Sequence, residues 1–493
     1  MIELNFAQKE NIGFQYVMDA LHPCSPYGEE RVKAMHPFAR EEKPELCRQL
    51  ANISRVLERE EDCQEALNLV MRVLMTVKNI RLTVKKCMET ALNEIELFEI
   101  KRFLLQTEEM LPAFRKAQEV LCLEGVTLED TAAALELLDP EHNRIATFFV
   151  SDSYSPHLRM LRKEKKALEE ELRRLPAGEE KETVQAKRVQ IAAEEEHEEM
   201  VIRGKLSEGL RPYLSAMLHN MDAIGDFDLT VEKAHLARNY HGVCPILTES
   251  HLRMDEMQNP QIADVLLEKN KVFTPVSIQL DRGATVITGA NMGGKSVALK
   301  TIALNILLTH CGFFPFAAYA EVPLFDSMHI ISEDLESIDR GLSSFGGEIV
   351  RFNQVIRQLP EGFAFILLDE FARGTNPDEG AAIVQAVTSY LNQANAVTVL
   401  ATHYDGVSQR GSAHYQVIGL KELDVEALRA EIAQAGGDVG VELIARNMNY
   451  GLYRVEDKQD CPHDALNICR LLGMKQEIVE LVEKNYEFCA QDY

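Results

Sequence analysis

Between Pro44 and Pro112 the chain carries neither proline nor glycine, and its apolar residues recur at spacings of three and four. Leu67, Val70, Leu74 and Val77, then Val84, Met88, Ala91, Ile95 and Phe98, form one stripe. That period predicts a long helix packed on one side, and its seven-residue drift suits helices lying along one another. Arg81 interrupts the seam, so a strict coiled coil is not demanded. At about 1.5 Å rise per residue, even half of the segment makes a rod. The first 270 residues read as almost entirely helical, with residues 1–157 as a helical core or lever and 206–270 as its return.

Residues 158–205 differ in kind. Two charged stretches flank Pro176-Ala177-Gly178, which predicts two helices joined at a turn. The stretch holds twelve Lys/Arg and twelve Asp/Glu, and its few larger apolar residues include Leu161, Leu168, Leu172, Leu175, Val184 and Ile191. These suffice for a thin two-helix seam. A solvated hairpin that props other parts and a projecting arm that touches a partner both fit the pattern.

From Lys271 the pattern switches to short β-rich runs alternating with helices. Strands are expected in 272–280, 284–289, 363–370 and 396–403, with helices over 297–312 and 380–395 between them. Such alternation predicts a mostly parallel α/β sheet, so the fold class is α + α/β: long helices, then an α/β domain over 271–446 and a C-terminal strand and helical segment over 447–493.

Composition narrows the setting. The 493 residues are enough for two to four domains, and no apolar run reaches the ~18 residues that span a bilayer. No basic region followed by an apolar core opens the chain, so a signal peptide is not expected. Ten scattered cysteines without a C-x-x-C pair fit reduced thiols in a cytoplasmic protein. A net charge of −26 argues against a surface coated for nucleic acid, although a local basic patch is compatible with it.

The chemistry lies in the second half. Gly289-Ala290-Asn291-Met292-Gly293-Gly294-Lys295-Ser296 fits G-x-x-x-x-G-K-[ST] in full, after an apolar strand and before a helix that continues with Val297. Glycines let backbone N–H groups curl around phosphates, and the helix presents its positive N-terminus. Lys295 would reach the β- and γ-phosphates of ATP, and the Ser296 hydroxyl would ligate Mg²⁺. The run Phe365–Glu370 delivers two adjacent carboxylates at a strand end. Asp369 would hold the metal through water, and Glu370 would orient or deprotonate the attacking water. His403, closing the run after Val399, is a candidate for the γ-phosphate or that water.

Taken together these motifs resemble the MutS family of ATPases, relatives of the ABC class. Thr288 through Ser296 is similar to TGPNMGGKS, with Ala290 in place of proline. Asp369-Glu370, Arg373-Gly374-Thr375 and Gly380 resemble DE-x-x-RGT-x-x-x-x-G, and Ala401-Thr402-His403-Tyr404 reads ATHY. Ser343-Ser344-Phe345-Gly346-Gly347-Glu348 stands where that family has its ST-F-x-x-E signature, and Ser25-Pro26-Tyr27-Gly28 resembles the opening of its lever core. The resemblance implies a homodimer in which Ser343, Ser344, Phe345 and Gly346 of one subunit complete the ATP site of the other, with hydrolysis moving helical arms. Val297 replaces the family's usual threonine. The lever-like start close to Met1 leaves an expectation of no mispair-reading wedge or connector domain, and none of the small C-terminal nuclease domain of one branch.

Two functions follow from the resemblance. The first is a DNA-binding ATPase of repair or recombination type that grips duplex or branched DNA through the 158–205 arm, with Arg162, Lys163, Lys165, Lys166, Arg173, Arg174, Lys187 and Arg188 as candidate phosphate contacts. The second is a protein-remodelling ATPase without nucleic acid, similar to reactivating factors of cobalamin-dependent aminomutases, for which the acidic balance speaks.

Overall fold

A computed structural model describes residues 2–289, 294–332, 344–359, 362–419, 449–456, 469–471 and 474–489. The chain divides into two compact units: residues 1–21, 36–51 and 235–493 form one, residues 22–35 and 52–234 the other. This division assigns two N-terminal stretches to the unit that holds the sheets, where the sequence pattern had placed 1–157 in a single helical region.

The second unit is helical. The stripe from Leu67 to Phe98 is not one rod: it runs over three helices, Gln64–Leu74, Arg81–Glu89 and Glu94–Leu121, with Val77 and Ala91 in the breaks between them. Thr76 Oγ1 donates to the Val73 carbonyl at 2.8 Å where the first ends. Asn93 caps the third, its side chain accepting from Glu96 N while the Glu96 carboxylate accepts from Asn93 N. Such side chains offer the backbone local partners that compete with helix continuation. Met88 and Ile95, read as seam residues, are 46% and 70% exposed. Pro112 lies inside the third helix rather than ending it.

The Ser25–Gly28 motif has a clear physical basis. Ser25 caps helix Pro26–Lys33, and its backbone N and its Oγ both donate to Asp228 Oδ2, at 2.7 and 2.6 Å. A Cβ on Gly28 would stand 2.4 Å from that same oxygen, so only glycine fits beneath it.

The charged hairpin forms as its pattern predicts. Helices Pro156–Arg174 and Glu179–Leu210 meet along Leu161, Leu168 and Ile191, with Val184 against them. Around this thin seam the opposite charges pair. Arg162 reaches Asp152, Glu195 and Glu199 at 2.6, 3.1 and 2.7 Å, Lys165 also meets Glu195, Lys187 meets Glu164 at 2.9 Å, and Arg188 meets Glu169 at 2.9 Å.

The first unit is α/β. Its strands are β1 (Ile246–Thr248), β2 (Leu252–Met257), β3 (Val276–Leu280), β4 (Gly283–Thr288), β5 (Tyr319–Pro323), β6 (Ser327–Ser332), β7 (Ala364–Asp369), β8 (Ala396–Ala401), β9 (Ala413–Gly419) and β10 (Asn449–Arg454). Strand structure therefore begins at residue 246, inside the stretch read as helical. In β2, Leu252, Met254 and Met257 are buried while Arg253 and Glu256 are exposed; a run this short carries little periodic signal.

Among the described residues β10-β9-β4-β8-β7-β6 make one sheet, parallel except at the β10–β9 edge, and β1-β5-β2-β3 make another. Strands β4, β7 and β8 are buried at every position, as befits central parallel strands. Helix Lys295–His310 follows β4 and is buried along almost its whole length. At its end the fully buried His310 accepts from Phe325 N through Nε2 at 3.2 Å and faces the Phe38 carbonyl through Nδ1 at 3.3 Å.

Candidate functional site

The order β4-β8-β7-β6 brings the chemistry-bearing ends of the parallel strands to one edge. Ile287, Ala401, Asp369 and Ser332 are successive register partners across it, so the residues that follow the first three emerge side by side. This edge, at the carboxyl ends of the strands, is where open α/β sheets bind ligands.

From β4 the chain passes through Gly289 to Gly294, which caps helix Lys295–His310 at φ +85°. A Cβ at Gly294 would stand 2.7 Å from Tyr450 Cδ1, so strand β10 closes on the loop at the one residue type that permits both the left-handed turn and the contact. Lys295 is 4% exposed; its Nζ donates to the Gly289 carbonyl at 2.8 Å and stands 3.8 Å from Glu370. Ser296 and Val297 follow on the first turn and line the adjoining cavity. Ala290, Asn291, Met292 and Gly293 lie outside the described residues.

Asp369 ends β7, 8% exposed. Glu370, next to it, takes φ +51°, a conformation that costs a non-glycine residue of order 1 kcal/mol or more. Its N–H donates to the Ala401 carbonyl at 3.0 Å and Arg373 donates to its carboxylate at 2.6 Å. The turn thus points the Glu370 side chain toward Lys295 instead of along the strand. Ala372, at φ +63°, completes it.

Two neighbours hold that turn. Glu348, 2% exposed, accepts from Ala372 N at 2.8 Å, and the Tyr404 hydroxyl donates to the Ala372 carbonyl at 3.0 Å. Glu348 belongs to helix Ser344–Gln358, which begins at the signature segment, and Phe352 of that helix meets the Phe371 ring at 5.3 Å. Phe345 and Gly346 lie in its first turn, Ser344 is its first residue, and Ser343 lies outside the described residues. Within one chain the signature helix is therefore joined to the Glu370 turn. Sequence spacing placed Glu348 in the motif and gave it no role.

His403 follows β8. Burial holds its imidazole below the usual histidine range, helped by Lys295 and Arg373 and opposed by Glu370 and Asp405. Its Nδ1 is buried and makes no hydrogen bond among the described residues. The neutral ring suits a hydrogen-bonding role beside anionic groups.

A cavity of about 350 Å³ adjoins the loop. Lys295, Ser296 and Glu370 give it a polar end, and Phe273, Ile262, Leu266 and Tyr450 an apolar one. A flat apolar group carrying a polyanionic tail matches this division. Phe273 and Tyr450 have no local sequence signal, since each sits far from the loop it serves. His414 was missed for the same reason; its Nε2 meets Thr288 Oγ1 at 2.8 Å and steadies the strand end that launches the loop.

The donor set fits a magnesium-bound triphosphate: a buried ammonium, a hydroxyl on the first helical turn, and two carboxylates one residue apart, around a cavity with a polar end. Among the described residues there is no helix long and apolar enough to cross a membrane, and no His/Cys/Asp/Glu group arranged as a protein-only metal site.

Residues 285–474 match the family model of MutS domain V. Similar curated proteins are each named Endonuclease MutS2. That of Acetivibrio thermocellus is 30% identical over 308 residues, 62% of this chain and 35% of the relative. That of Latilactobacillus sakei is 31% identical over 244 residues, 49% and 30% of the two chains. That of Symbiobacterium thermophilum is 32% identical over 238 residues, 48% and 29%. The chain spans about a third of the length of these relatives.

Proposed function

Because the chain is a MutS-family protein through its residues 285–474, we propose that it is an ATPase that converts ATP and water to ADP and phosphate at composite sites of a homodimer, and that it acts on DNA in repair or recombination. The observation that carries the ATPase reading is the Lys295–Glu370 pair at the sheet edge, with Glu370 turned out of its strand by a positive-φ backbone. A nucleotide staple needs the lysine; it has no use for a carboxylate held at a conformational cost.

In this reading the apolar end of the cavity takes the base and the first turn of helix Lys295–His310 takes the phosphates. Mg²⁺, held by Ser296 and through water by Asp369, would supply charge neutralisation on the phosphate oxygens. Lys295 moves from the Gly289 carbonyl and Glu370 to the γ-phosphate. Glu370 then accepts a proton from the attacking water, while the neutral His403 ring hydrogen-bonds that water or the γ-phosphate. Gly346, Ser343 and Ser344 of a second copy would close the open side and exclude solvent.

The arm supports a specific division of labour on DNA. Arg162, Lys165, Lys187 and Arg188 are engaged with carboxylates of the hairpin. Lys163, Lys166, Arg173 and Arg174 are exposed along helix Pro156–Arg174 and are the contacts for phosphates.

The test is the Glu370→Gln variant. It should bind ATP, lose hydrolysis by about 100-fold or more, and sediment as a dimer in ATP. Turnover at the parent rate would show that another group activates the water, and a monomer in saturating ATP would remove the composite site. Stimulation of the parent by duplex or branched DNA, falling with salt, tests the partner; no response at low salt would sink the DNA part and leave a protein client.

A further inference from the structure

Ser332 ends β6 and is the register partner of Asp369, which in turn is the partner of Ala401. Register partners in a sheet stand roughly 5 Å apart with side chains on the same face. Ser332 is 5% exposed, and its Oγ is buried with no hydrogen bond among the described residues. A buried hydroxyl left unbonded costs about 1–3 kcal/mol, and alanine at this place would remove the cost.

Two other buried hydroxyls, Thr285 Oγ1 and Thr398 Oγ1, share this state, but they lie within β4 and β8. A threonine within a buried strand offers a methyl for packing, so its hydroxyl needs no further role. Serine has no such methyl. Ser332 also sits at the edge that holds the candidate site, across Asp369 from the strand that leads to His403, whose Nδ1 is likewise buried with no hydrogen bond among the described residues. Asp369 thus stands between Ser332 and the strand that runs on to His403, each with a buried polar atom that has no hydrogen bond among the described residues.

We propose that Ser332 is a positioning residue of the nucleotide site: its hydroxyl holds a water of the magnesium shell on the side of Asp369 away from the phosphate loop. This rests on the ATPase reading above. Ser332 touches neither the phosphate nor the base; it fixes one water, and through it the place of the metal beside Asp369. Outer partners of this kind typically alter metal affinity by about 10–100-fold.

Ser332→Ala and Ser332→Thr decide the matter, with Mn²⁺ as the spectroscopic probe and a non-hydrolysable ATP analogue. In chelator, both variants should bind the analogue as the parent does. With the analogue bound, Mn²⁺ affinity measured by electron paramagnetic resonance should fall about 10-fold in Ser332→Ala and stay near the parent in Ser332→Thr. ATP turnover of Ser332→Ala should recover with added Mg²⁺. Without nucleotide, Ser332→Ala should melt at the parent temperature or above it, since no bond is lost. Parent-like Mn²⁺ affinity in Ser332→Ala, or a lower melting temperature or loss of folding in that variant, would make Ser332 merely structural and overturn the proposal. A parent that binds neither analogue nor Mn²⁺ would instead bring down the nucleotide reading itself, and this inference with it.

Discussion

Gly380 shows how a single hydrogen atom is selected for at this site. It lies in the first turns of helix Pro377–Leu391, where alanine would ordinarily gain up to about 1 kcal/mol of helix propensity. Here a Cβ would stand 2.5 Å from the Tyr404 hydroxyl and 3.0 Å from the Ala372 carbonyl, the two ends of the bond that braces the Glu370 turn. Overpacking of this kind costs about 1–3 kcal/mol, more than the propensity gain. Gly380→Ala is therefore expected to lower the melting temperature and to reduce kcat with little change in KM for ATP. Adding Tyr404→Phe should restore part of the stability by removing the nearest atom, but none of the kcat, since the brace is gone; full additivity in that double-mutant cycle would contradict the coupling.

At the scale of elements, helix Lys295–His310 ends on a histidine that must stay neutral. Burial pushes His310 down to about 4 from an ordinary 6.5. The unfolded chain takes up its proton first as pH falls, so the stabilisation is whole above pH 6.5 and drains away between 6.5 and 4. The shift is on the order of 3 kcal/mol. Thermal unfolding followed across that window should show the loss, and His310→Gln, unable to protonate, should flatten the profile even if it lowers the plateau. The strand and helix on either side of the glycine-rich motif, the Asp369-Glu370 strand and the hairpin were legible in sequence because each is local: a motif between a strand and a helix, an apolar run with an acidic end, a charge pattern around a Pro-Ala-Gly turn. The breaks near Thr76 and Asn93 were not, because the i, i+3, i+4 spacing survives when the interruption falls between stripe residues. Tyr450, His414 and Ser332 escaped because they reach the site through strand order, which no window of sequence contains, and Phe273 because it lies in the irregular stretch before β3.

For the whole molecule, the net charge of −26 sets the terms on which it would meet a polyanion. The mean field repels DNA, so any binding must come from a local stripe and must be steep in salt. Reversing Lys163, Lys166, Arg173 and Arg174 to glutamate should abolish DNA-stimulated turnover while leaving the basal rate unchanged. Reversal of Lys187, already paired with Glu164, should act chiefly by loosening the hairpin. Fluorescence anisotropy of a labelled duplex across a salt series separates the two. An equal response from both sets would mean that the pairing in the hairpin gives way on binding.

Because residues 1–21 and 36–51 fold with 235–493, the unit that holds the candidate site is not a continuous stretch of gene. Its early ribbons are stitched in: Asn259 Nδ2 donates to the Ile12 carbonyl at 3.1 Å, and Phe38 N donates to the His310 carbonyl at 2.7 Å. An expression fragment cloned from codon 235 onward would carry every residue of the candidate site and still lack the pieces that cover Asn259 and His310. A fragment meant to isolate this unit should instead keep residues 1–51 and replace residues 52–234 with a linker.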